Sequence, residues 1–128
     1  MKRVDRFLMV TVLSAVISMV CSGCTAAPII GAPLNREKLV DGAYEGTYEG
    51  WPNKALVKVT IEDKTVVNIQ ILEHRALKGE KAELVIPRRI IEDQSTAVDA
   101  VSGATNSSRV IMNAVQRAVE KAYQKCKY

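Results

Sequence analysis

The run Asp99-Ala100-Val101-Ser102-Gly103-Ala104-Thr105-Asn106-Ser107-Ser108-Arg109 gathers hydroxyl groups on a turn of small residues at the start of a helical period. Ser, Thr and Asn in such a place are first of all capping residues, because their side-chain oxygens accept from the unpaired N–H groups of a first helical turn. Those N–H groups also favour an anion, which makes the Thr105 hydroxyl a candidate anchor for a phosphate-bearing cofactor. Gly103 and Ala104 keep bulk off the loop, so Oγ of Thr105 is open and a phosphate can lie close to backbone. Ser102, Ser107, Ser108 and the amide of Asn106 are expected to add hydrogen bonds. Asp99 either orients the loop or caps the helix. With one histidine, His74, no Ser-His-Asp arrangement is in view, and neither catalytic nor metal-ligating residues are expected.

The elements that must carry this loop are legible as periods. Residues 41–51 alternate, with Tyr44, Gly46 and Tyr48 opposite Glu45, Thr47 and Glu49, as a half-buried strand requires. Residues 55–62 set Val57, Val59 and Ile61 on one face. Residues 65–72 set Val67, Ile69 and Ile71 on one face, and Asp63-Lys64 between the two runs predicts a hairpin. Leu84, Val85, Ile90 and Ile91 then follow a helical spacing that Pro87 interrupts, predicting a short broken helix ending near Gln94. From Asn106 onward Val110, Ile111, Ala114, Val115, Ala118, Val119 and Ala122 form an apolar stripe opposed by Arg109, Asn113, Arg117, Glu120 and Lys121. The fold class expected is α+β, a small antiparallel sheet (a three-stranded meander or more) packed against a long C-terminal amphipathic helix and a shorter helix.

Lys2, Arg3 and Arg6 ahead of an apolar stretch over residues 7–20 have the form of an export signal. The stretch falls short of the roughly 20 residues a membrane-spanning helix needs. Val20-Cys21-Ser22-Gly23-Cys24 resembles the bacterial lipobox, in which the last cysteine receives diacylglycerol, although Cys21 stands where such boxes usually hold Leu. Residues 1–23 are thus expected to be a lipoprotein signal peptide and Cys24 the lipidated first residue. The alternative is ordinary cleavage and free secretion, and either way the location is extracytoplasmic. Residues 24–38 suit a tether, and residues 39–125 the domain. Without residues 1–23 the chain holds 15 Lys+Arg and 13 Asp+Glu, a balance of +2 that is no nucleic-acid signature. Cys126 is then the one free thiol, which excludes an intramolecular disulfide.

Asp99-Ala-Val-Ser-Gly-Ala-Thr105, preceded by sheet and followed by an amphipathic helix, resembles the flavinylation motif of the FMN-binding domain family. That family includes the flavinylated domains of the sodium-pumping NADH:quinone reductase C subunit and the Rnf G subunit, and small exported lipoproteins. The resemblance runs from Leu39 to about Ala122 and takes in Asp41-Gly-Ala-Tyr-Glu-Gly46, the hairpin, Leu72-Glu-His74 and Gln94-Ser95. It implies FMN joined to Thr105 by a phosphoester, made from FAD by a Mg-dependent flavin transferase for which Thr105, needing no base of its own, is the substrate and Asp99 a residue to be read. It also implies a histidine, His74, close to the flavin. A Thr-Pro-Gly segment common after that histidine is replaced here by Arg75-Ala-Leu-Lys-Gly79. Gly46 could let the ring approach the sheet, and Trp51 could stack on it or close a core. Arg88 and Arg89 are read as a solvated helix face. Lys121, Lys125 and Lys127 are read as surface or as a contact for anionic lipid.

Three functions are compatible with this reading. The first is a lipid-anchored flavoprotein that transfers electrons between membrane redox partners. The second is a flavin-bearing accessory subunit of a separately encoded reductase, and the third a non-redox lipoprotein binding module. An electron carrier is favoured over an independent enzyme, because so small a domain has little room for a substrate pocket as well.

Overall fold

The computed structural model describes residues 26–125 of the 128-residue chain. The signal segment, Cys21, Cys24 and Cys126 lie outside the described residues. A three-stranded antiparallel sheet in the order β1-β2-β3 is formed by β1 (Gly42–Gly50), β2 (Asn53–Glu62) and β3 (Thr65–Arg75). Two helices follow, α1 (Glu80–Asp93) and α2 (Thr105–Lys125). This is the expected α+β architecture.

The strands follow the expected alternation in β1 and β2, where Tyr44, Ala55, Val57, Val59 and Ile61 all turn inward and are buried. The turn joining β2 to β3 puts both Asp63 (φ 49°) and Lys64 (φ 55°) in the left-handed region, the geometry whose twist matches a hairpin. Neither residue is a glycine, so the turn carries a conformational cost of about 1 kcal/mol or more. Asp41 offsets it by accepting from the amides of both residues, each at 2.9 Å.

β3 departs from the simple alternation. Ile61 pairs with Val66 but Thr60 with Asn68, and Val57 pairs with Ile71 but Leu56 with Glu73, so Val67 and Leu72 are extra residues at two bulges. A bulge resets which residues face inward. Val66, not the expected Val67, is the buried residue at the start of β3, while Val67 and Leu72 are exposed. The second bulge has a larger consequence, for it brings His74 opposite Ala55 and onto the inner face.

α2 lies across that inner face and buries Val110, Ile111, Ala114, Val115, Ala118, Val119 and Ala122, the expected stripe. Where it crosses β1, a methyl group at Gly46 would overlap the Ala114 carbonyl and the Ala118 amide. The notch between the two tyrosines therefore belongs to the helix and leaves no room for a flavin ring. Lys121 donates to the Glu45 carbonyl at 2.6 Å, and the Lys125 ammonium sits 5.1 Å from the Tyr44 ring centre, so these lysines fasten the helix end to β1.

Two further expectations are corrected. α1 is one continuous helix of 14 residues that contains Pro87, ending at Gln94 in a left-handed cap. The proline removes only the bond to the Glu83 carbonyl, and burial of Ala82, Ile86 and Ile90 holds the helix through that loss. The segment ahead of Leu39 is docked along α2. The fully buried Asn113 donates to the Pro28 carbonyl at 2.8 Å and accepts from the Ile30 amide at 3.3 Å, while Thr96 exchanges two hydrogen bonds with Ala32. Asn113, read as part of the solvent face, is thus the residue that fixes this cover.

Candidate functional site

The motif loop is shaped by a tight turn in which the Ala104 amide donates to the Val101 carbonyl at 3.0 Å and Gly103 takes φ +79°. A side chain at Gly103 would meet nothing within 4 Å, so the glycine is there for its left-handed backbone rather than for lack of space. Ser108 staples turn to helix, donating to the Ala104 carbonyl at 2.7 Å and accepting from the Val101 amide at 3.0 Å. Ala104 then occupies the capping position, with its carbonyl taking the first intrahelical bond from the Ser108 amide at 2.9 Å. The amides of Thr105, Asn106 and Ser107 have no intrahelical carbonyl to bind, as in any first turn.

Thr105 is exposed at the first position of α2. It lines a cavity of about 320 Å³ with Pro52, Asn53, Leu77, Lys78 and the Gly103–Ser107 turn. A second cavity of about 530 Å³ lies between Ser102–Ala104 and the loop of residues 76–81. Leu77, Lys78, Gly103 and Ala104 are common to both walls, so the two volumes adjoin around the motif loop. Together they fall in the size range of small-molecule sites.

Of the residues expected at the site, Ser102, Gly103, Ala104 and Thr105 are at the cavities through side chain or backbone. Asn106, Ser107 and Ser108 have their side chains turned to the fold. Asn106 accepts from the Ala27 amide at 2.9 Å and donates to the Gly50 carbonyl at 3.4 Å, and Ser107 accepts from the Asn53 amide at 3.1 Å. Asp99 is exposed and does not cap α2; its carbonyl accepts from Arg89 at 2.7 Å. Arg89, read from sequence as a solvated residue, thus holds the start of the motif loop, while Arg88 pairs with Glu92.

His74 lines neither cavity. Its side chain is only 2% exposed, and Nδ1 lies 2.6 Å from Oε1 of Glu83. A carboxylate can only accept, so Nδ1 carries the proton. Nε2 is buried without a partner. The ring packs so tightly beneath Gly79 that a methyl group there would overlap it. His74 therefore stands behind the loop of residues 76–81, where the sequence reading gave it a place beside the cofactor. Trp51 is 90% exposed and closes no core.

Lys78 was missed as a site residue; it is exposed and lines both cavities. Arg109, one helical turn beyond Thr105 on α2, lines neither and is turned to the N-terminal segment. Its guanidinium donates to the Ala27 carbonyl at 3.3 Å, and its buried Nε has no partner. The Lys78 charge, added to the unpaired amides of the first turn, makes the surroundings of Thr105 favourable to an anion.

A model of the FMN-binding domain family matches residues 50–120, which contain both cavities and the motif loop. An uncharacterized protein of Treponema pallidum (strain Nichols) is 29% identical over 92 residues, covering 66% of this chain and only 24% of that protein's own length. The matched span holds β2, β3, α1, most of α2 and the turn that presents Thr105, and the chain belongs to the FMN-binding domain family.

Proposed function

We propose that this protein is an extracytoplasmic, lipid-anchored flavoprotein that carries FMN covalently on Thr105 and serves as an electron-transfer module. The observation that carries the reading is the Thr105 hydroxyl, exposed on a cavity wall at the first position of α2, ahead of first-turn amides that lack intrahelical partners. The residues fit a phosphate-linked group. Oγ is reachable, the Gly103 side of the loop is open, and Lys78 and the helix terminus supply positive potential for one negative charge.

Attachment exchanges a phosphoanhydride for a phosphoester. Oγ of Thr105 bonds to the FMN phosphorus of FAD, the pyrophosphate bond breaks, AMP leaves, and the threonine proton passes to a base of the Mg-dependent transferase. Bound FMN supplies one- and two-electron redox chemistry. The chain's own part is placement: Ser108 fixes the turn, Asn53 and Asn106 fix the first helical turn, and His74 and Glu83 support the opposite wall. A covalent link removes the need for tight binding, which suits a shallow site in a compartment with no flavin pool to replace a lost cofactor. The reading extends to Cys24 as the lipid anchor and to membrane redox partners.

Mass spectrometry of protein from a host that has the transferase tests the reading. A peptide containing Thr105 is expected to carry FMN less one water, and Thr105→Ala to give no flavin fluorescence on a denaturing gel. An unmodified Thr105 peptide from such cells, or covalent flavin retained in the variant, overturns it.

A further inference from the structure

The docked N-terminal segment brings the start of the described chain to the flavin end of the molecule. Ala27 is buried, its amide on the Asn106 side chain at 2.9 Å and its carbonyl on Arg109 at 3.3 Å, and its methyl lies against Gly50. Asn106 is the residue after Thr105, so the chain leaves the fold beside the proposed attachment point. Only Thr25 and Ala26 separate Ala27 from Cys24, and the three Cα-to-Cα steps reach about 11 Å at full extension.

Two large apolar side chains stand out from the surface there. Trp51 is 90% exposed next to Pro52, and Leu77 is 88% exposed on the wall that faces Thr105. Lys78 and Lys81 follow Leu77 on the same loop and are exposed, with Glu80 between them. An exposed tryptophan beside lysines is the pattern that favours a bilayer's headgroup region.

We propose that this face, with Trp51 and Leu77 foremost, lies on the bilayer surface, held there by the short leader to Cys24, so that the Thr105 end of the domain points toward the membrane. This rests on the reading of Cys24 as a lipid anchor. It confines whatever exchanges electrons with the flavin to the membrane plane, either embedded in it or lying along it.

The test uses the full lipidated chain in phosphatidylethanolamine/phosphatidylglycerol vesicles. Trp51 is the chain's one tryptophan, so its emission reports this face alone. It is read in lipidated Thr105→Ala, which has no flavin to absorb the emission. Brominated acyl chains are expected to quench Trp51 at least twofold relative to unbrominated vesicles. Insertion of fifteen Gly/Ser residues between Thr25 and Ala26, adding roughly 20 Å of flexible reach, is expected to relieve at least half of that quenching. Unquenched Trp51 in protein that bears the diacylglyceryl mass overturns the orientation and leaves the flavoprotein reading standing. Quenching that the insertion does not relieve overturns the role of the leader. Absence of the lipid mass removes the anchor from both readings.

Discussion

Asn53, at the first residue of β2, donates its side-chain amide to the Ser107 hydroxyl on the first turn of α2 at 3.1 Å, with both residues buried. The hairpin thereby fixes the turn that presents Thr105. Removing one partner strands the other in a dry place, so Asn53→Ala or Ser107→Ala is expected to cost about 1–3 kcal/mol. The double variant should cost less than the sum of the two singles. Urea unfolding of the four proteins checks this, and strictly additive losses would show that the two side chains act independently.

The wall opposite Thr105 depends on Gly79 being a glycine. A methyl group there would overlap the His74 ring and the Ala76 methyl, so Gly79→Ala is expected to displace the loop of residues 76–81 and to slow flavin attachment severalfold. Pairing it with His74→Ala, which vacates the space beneath, should recover part of the loss. Rates of flavin incorporation by the transferase, followed by in-gel fluorescence, measure both.

At Gly46 the constraint comes from the helix. Gly46→Ala sets a methyl group against the Ala114 carbonyl and the Ala118 amide, neither of which can rotate away. The expected loss is at least about 3 kcal/mol, at the upper end for overpacking, because backbone and not side chain must move. Chemical denaturation reads it, and a change under 1 kcal/mol would mean that α2 slides easily over the sheet.

Tyr44 gives the stability a dependence on alkaline pH. Its hydroxyl donates to the Val40 carbonyl at 2.9 Å, and burial, followed by the nearby Asp41 carboxylate, raises its pKa above the usual tyrosine value of 10.0. The folded state therefore holds the proton more tightly than the unfolded chain. The associated stability is complete below pH 10 and falls as pH rises through the folded value. Tyr44→Phe should flatten that fall while costing about 1 kcal/mol at neutral pH through the lost hydrogen bond. Unfolding midpoints between neutral pH and pH 11 check both.

How much of this was legible in the sequence differs by element, for a physical reason in each case. β1, β2 and the stripe of α2 obey one uninterrupted period, and the motif loop has its signature in contiguous residues. β3 does not, because a bulge shifts the phase without leaving a glycine or proline to mark it, so Val67 was read as buried and His74 as ending the strand beside the cofactor. The side chains of Asn106, Ser107 and Ser108 suit a phosphate as well as they suit backbone. Only the partners brought by the fold, Ala27, Asn53 and Val101, decide between the two. Asn113 and Arg89 looked solvated because what they hold, Pro28 and Asp99, is distant in the chain or irregular in structure.

The two bulges also say where β3 tolerates a change of length. Nine ladder pairs span its eleven residues, so Val67 and Leu72 are surplus to the pairing. Deleting either would leave the inward set, from Val66 through Ile69 and Ile71 to His74, unaltered, whereas deleting Gln70 between them would turn one end of the strand inside out. Alignment gaps among relatives are accordingly expected to collect at those two positions.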